Sequence, residues 1–159
     1  TQWDVVLADA VVQHDMDSRP LFPRFTLPAL NRAQLNPDSS WLKWASTALA
    51  QAAQAGELDG FGLPSTGLIA TGDRFIGDAD VLDALREALP GLKAVEMEGA
   101  AVAQVAEQEG MPWLVLRVIS DGADASADQS FGDFIQMYDR RAWCLLQALL
   151  SRVELAPER

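Results

Sequence analysis

Glu98 and Asp121 each sit just past an apolar run, Ala94-Val95-Glu96-Met97 in the first case and Val115 to Ser120 in the second. Two carboxylates in such places can divide the work of cleaving a bond to a poor leaving group. One, protonated, serves as the acid; the other, ionised, steadies developing positive charge. The same residue types also serve as plain helix or loop caps, because a carboxylate is favoured near a helix N-terminus. Other chemistry is poorly served. Asp121, Asp124 and Asp128 lack the alternating ligands, glycine and closing glutamate of a calcium loop, so they read as a solvated acidic loop. His14-Asp15-Met16-Asp17 offers one imidazole and two acids, and reads as a polar turn. A single histidine and no serine on a nucleophile elbow argue against a serine or cysteine triad. Gly60-Phe61-Gly62 lacks the third glycine and following helix of a phosphate loop. Cys144, beside Leu145, reads as a small core residue. Trp41 and Trp44, three apart, read as a helix face on the core.

These candidates need a scaffold, and the hydrophobic pattern supplies one. The valine-rich residues 4–13 predict a largely buried strand. His14 to Pro37, broken by four prolines, predicts irregular chain. Asp38 or Ser39 can cap a helix that stops at Gly56. Ser65 to Thr71 predicts a short buried strand closed by Gly72-Asp73. Asp80 opens a second helix with Val81, Leu82, Leu85 and Leu89 on one face. Lys93 to Glu96 predicts a strand, and Glu98 to Glu109 an alanine-rich helix able to approach a sheet closely. Trp113 to Ile119 is the clearest buried strand, followed by a polar loop. Ser130 with Asp133 predicts a capping-box start to a last helix that buries Phe131, Phe134, Ile135, Tyr138, Leu145 and Leu149. Alternating strands and helices predict an α/β fold with helices on both faces of a mainly parallel sheet. Ligands in such folds sit at the carboxyl ends of strands, here Gly72-Asp73, Glu96-Met97-Glu98 and Ser120-Asp121.

The chain has 159 residues, 49% of them hydrophobic and 22% charged, a composition that suits one globular domain with its own core. Its net charge of −11 argues against a nucleic-acid surface and against docking on anionic lipid. No apolar run approaches the roughly 20 residues of a membrane span. A single cysteine points to a reducing, cytoplasmic setting. The chain opens Thr1-Gln2-Trp3 and enters a strand at once, which predicts the downstream part of a longer protein.

Three blocks, Gly67 to Ile76, Ala94 to Ala101 and Arg117 to Asp124, with Ser130-Phe131-Gly132-Asp133-Phe134 after them, resemble the bacterial 5′-methylthioadenosine/S-adenosylhomocysteine nucleosidases of the nucleoside phosphorylase superfamily. The resemblance runs from the first strand to the last helix. It implies a three-layer α/β/α sandwich with a mixed, mainly parallel central sheet. It also implies hydrolysis of the bond between adenine N9 and the ribose, with no cofactor and no metal. By resemblance Asp121 protonates N7, Ser120 steadies that contact, and Glu98 binds the ribose hydroxyls. Arg117 lies near the attacking water, Met97 packs against the sugar, and Glu96 is among the substrate-binding residues. Phe75 stacks on adenine, and the main chain of Ile76 bonds the base edge. The family's N-terminal strand, with a water-activating glutamate, and a glycine-rich segment do not occur here, so a single domain lacking the family's first third is expected. Without that part the valines of the first strand would expose an unpaired flank. Leu21, Phe22, Pro23 and Phe25 match a loop that closes a partner subunit's pocket, which implies a homodimer. A sister phosphorylase, a futalosine or AMP hydrolase, and a catalytically silent nucleoside-binding domain are the alternatives.

Overall fold

A computed structural model describes residues 1–120 and 127–158, apart from the side chains of 127–133 and 140. Asp121 and Asp124 lie outside the described residues, and so do the side chains of Asp128, Ser130, Phe131 and Asp133.

The first strand, β1 (Val5–Gln13), is the spine. It pairs in parallel with β3 (Ser65–Thr71), which pairs in parallel with β4 (Leu92–Glu96). On its other flank β1 meets the two-residue β2 (Gln34–Leu35) and β5 (Leu116–Val118), both antiparallel. The longer ladders are the parallel ones, so the sheet is mixed and mainly parallel. Its helices are α1 (Ser39–Gln54), α2 (Ala79–Ala88), α3 (Gly99–Gln108) and α4 (Ala127–Leu150).

Side-chain alternation along β1 explains the layers. Val5 and Leu7 face one side, packed with Ala45, Leu49 and Ala52 of α1 and Leu145 and Ala148 of α4. Val6 and Ala8 face the other, against Ala100 and Ala103 of α3 and the buried Trp113 and Val115. A register irregularity between Ala8 and Ala10 then shifts the parity, and Ala10 and Val12 pack with Leu85 and Leu89 at the end of α2. The result is the expected α/β/α sandwich. Small residues on α3 let it sit close to the sheet: a Cβ on Gly99 would lie 3.0 Å from Val115 Cγ1.

Several sequence expectations are corrected. The first strand has no unpaired flank, because β5 and β2 cover the edge opposite β3, and Val5, Val11 and Val12 are at most 1% exposed. The Trp113–Ile119 run forms a strand only at Leu116–Val118, half-buried, although main-chain bonds continue on either side, from Ala8 N to Val115 O and from Ile119 N to Asp4 O. α2 starts one residue earlier, capped by Asp78, which accepts from Asp80 N at 2.9 Å. Val81 and Ile135 are exposed, since each lies just off the stripe its helix turns to the core. α4 begins at Ala127, ahead of the expected cap at Ser130. Asp38 caps α1 through Ser40 N and Trp41 N, one of the two caps expected. Trp44 packs on the α1–α4 cluster and donates to Arg152 O at 3.0 Å.

Candidate active site

The carboxyl ends of β3 and β4 come together at Thr71 and Glu96, which are register partners. Past β4 the chain turns through Met97 and Glu98 into α3, whose first N–H groups need acceptors. Glu96 supplies them. Its carboxylate accepts from Gly99 N at 2.8 and 3.0 Å and from Glu98 N at 3.2 Å. Thr71 donates its hydroxyl to Glu96 Oε1, and Arg117, from β5, donates Nε at 2.8 Å together with Nη2 to Oε2. Burial by itself would push the Glu96 carboxyl up. The bonds from Thr71 and Arg117, the guanidinium charge and the Gly99 N–H outweigh it, and Glu96 is held below the ordinary glutamate range.

Arg117 Nη2 also reaches Glu98 Oε2 at 3.2 Å, so one guanidinium links a carboxylate buried in protein bonds to a second one facing outward. Glu96, Glu98, Arg117 and Ser120 line one cavity of about 570 Å³, with Lys93 and Phe134 on its walls. That size suits a drug-sized or nucleoside-sized ligand. Electrostatically the cavity pairs an acid that is already saturated, Glu96, with one that has spare acceptor capacity, Glu98.

Other positions read from the sequence lie elsewhere. Phe75 and Met97 are exposed, at 55% and 43%, and neither they nor Ile76 line that cavity. Ile76 packs on the Ala10–Leu85 cluster beneath α2. Asp15, weighed above as part of a polar turn, accepts from Asp73 N at 2.8 Å and so ties down the turn leading to Phe75. His14 is buried against Gly72, where a Cβ would fall 2.3 Å from the imidazole and force the buried ring to shift. In the Leu21–Phe25 loop Leu21 stands 84% exposed, whereas Phe25 turns back onto the core beneath the Arg24 guanidinium, 4.4 Å from its ring. Sequence reasoning missed Thr71 as a site residue. The signal was there, a hydroxyl at the last position of a buried strand. Among the described residues no group of three His, Cys, Asp or Glu gathers as for a metal ion. No helix there is long and apolar enough to cross a membrane.

Comparison with known proteins places this geometry. The chain is 36% identical over 152 residues to the 5′-methylthioadenosine/S-adenosylhomocysteine nucleosidase of Geobacillus thermodenitrificans, covering 95% of this chain and 61% of that protein. The nucleosidase of Streptococcus pneumoniae, solved with the transition-state inhibitor MT-ImmA, superposes with a TM-score of 0.82 at 34% identity, over 96% of this chain and 63% of the other. The futalosine hydrolase of Helicobacter pylori superposes with a TM-score of 0.79 at 30% identity, over 97% and 61%. The chain therefore spans about three-fifths of the length of the relatives it matches. Residues 3–151 match the model of the phosphorylase superfamily, and the chain belongs to that family.

Proposed function

We propose that this chain carries the acid, sugar-binding and base-stacking groups of an N-glycosyl hydrolase that releases adenine from 5′-methylthioadenosine and S-adenosylhomocysteine. The observation that carries the reading is the Glu98–Arg117 contact between residues that line the cavity, which Ser120, one residue before Asp121 in the sequence, also lines. In this reading Glu98, free to accept, takes the ribose hydroxyls, and its charge favours an oxocarbenium-like sugar. Asp121 gives its proton to N7 as the N9–C1′ bond breaks, and adenine leaves neutral. Water adds to C1′ beside Arg117, and its proton returns to a carboxylate. By resemblance Phe75 and the main chain of Ile76 serve the base and Met97 the sugar, from positions outside the walls of the cavity that Glu98 and Arg117 line.

The likeness to a futalosine hydrolase favours a second reading with the same chemistry and another 5′ substituent. We also infer a cytoplasmic homodimer in which the exposed Leu21, with Phe22 and Pro23, meets a second copy. Adenine release from methylthioadenosine and from futalosine, measured with and without phosphate, tests the function. Phosphate-independent release is expected. Release only with phosphate makes the enzyme a phosphorylase, and absence of both release and binding leaves the reading without support.

A further inference from the structure

Helix α3 is capped in an unusual way. Glu98 occupies its N-cap position, yet its side chain makes no capping bond. Glu96 takes the Gly99 N–H instead, and Thr71, on a different strand, takes the Ala100 N–H on Oγ1 at 2.7 Å. Since that N–H fills an acceptor site of the hydroxyl, the single hydroxyl proton goes to Glu96 Oε1. Thr71 is 4% exposed, and its carbonyl accepts from His14 N at 2.9 Å, so the residue is pinned between β1 and β4. Bulk water has little access to replace a hydroxyl buried this deeply.

We propose that Thr71 is a positioning residue: it caps α3 from a neighbouring strand and, through its one proton, sets the orientation of the Glu96 carboxylate that turns Arg117 toward Glu98. This rests on the reading of Glu98 and Arg117 as the sugar-side and water-side groups. Thr71 itself touches no substrate. Its effect passes along an ordered line, from the Ala100 N–H to the Thr71 hydroxyl, then to Glu96, Arg117 and Glu98. Such a line gains from every member being satisfied, and loses direction when one donor is removed.

Thr71→Val keeps the shape and deletes the hydroxyl, whereas Thr71→Ser keeps the hydroxyl. Misplacing a catalytic group by about 1 Å costs roughly 10²-fold, so Thr71→Val should lower kcat for adenine release ~10–100-fold, more than it raises KM. Thr71→Ser should stay within ~3-fold of the unsubstituted chain, the expectation when the hydroxyl hydrogen bond is kept. A valine variant with a lower Tm but an unchanged kcat per folded molecule would overturn the proposal, as would failure of serine to rescue. Should valine not fold, Thr71→Cys, a weak donor, takes its place; kcat below that of the serine variant is expected, and equality overturns the proposal. The NMR signal of the Arg117 Nε–H provides a readout independent of activity. It should move in the valine or cysteine variant and return in the serine variant, and an unmoved signal overturns the proposal. That measurement decides even in a chain that releases no adenine, a result that would sink the functional reading alone.

Discussion

Arg117 meets Glu96 through two donors, Nε at 2.8 Å and Nη2, that converge on a single carboxylate oxygen, Oε2. The other oxygen accepts from Thr71, and Gly99 N lies within reach of both, 3.0 Å from Oε1 and 2.8 Å from Oε2. Glu96 is thus spent on protein partners, and Glu98 is the carboxylate of the pair with capacity for a ligand. Glu96→Gln should therefore act through Arg117. We expect kcat to fall ~10–100-fold as the guanidinium loses its anchor. Stability should fall by ~1–3 kcal/mol as charged hydrogen bonds are lost, read from denaturant titration. The pH dependence has a defined sign. Because the folded-state value lies below the ordinary one, Glu96 contributes stability above about pH 4.3 that is lost as pH falls through the folded value, and the glutamine variant should lack that segment of the curve. Equal acid sensitivity in both proteins would remove Glu96 from this role.

Asp121→Asn should nearly abolish adenine release while nucleoside binding survives. General acid catalysis contributes about 10²–10⁴-fold, so a variant that kept more than about a tenth of the rate would return Asp121 to a loop cap. Calorimetric binding of a methylthioadenosine analogue separates lost chemistry from lost affinity.

His14 predicts a pH effect in another window. Burial pushes the imidazole below its ordinary value and outweighs the opposing pull of Asp15 and Glu96, with Arg24 adding to the depression. Its Nε2 has no hydrogen-bond partner among the described residues, so a proton there would be buried and unpaired. The unfolded chain then binds the proton first. Stability contributed by neutral His14 is complete above about pH 6.5 and declines as pH drops through the lower folded value. Thermal melts from pH 7.5 to 5 should show Tm falling, with a shallower slope in His14→Phe. Parallel slopes would exclude His14 as the source.

Leu21 offers the simplest test of assembly. A leucine 84% exposed next to Phe22 marks an apolar contact, and burying it against a second copy would contribute roughly 1.5–3 kcal/mol. Sedimentation at micromolar concentration should show a dimer that Leu21→Asp weakens. A monomer in the unsubstituted chain would assign the loop to its own subunit.

Local signals in the sequence determined much of this architecture. Val-rich β1, the Asp38 cap, the Ser65–Thr71 strand and the glycine stops all follow from nearest-neighbour chemistry, which acts over a few residues and is written in their order. The block Glu96-Met97-Glu98 marked a site for the same reason, as polar groups at the end of an apolar run. Tertiary structure alone decided which of the two glutamates is free. Local bonds from Glu98 N and Gly99 N go to Glu96, but its saturation is completed by Thr71, 25 positions away, and by Arg117, 21 positions away, which gives Glu96 two donors and Glu98 one. The antiparallel docking of β5 on β1, which covers the valines, is likewise a long-range pairing, and the parity shift at Ala8 to Ala10 sends two alanine- and valine-bearing positions to α2. Such outcomes depend on which surfaces meet once the chain closes on itself, and hydrogen-bond satisfaction at buried strand ends then selects the role of each acid.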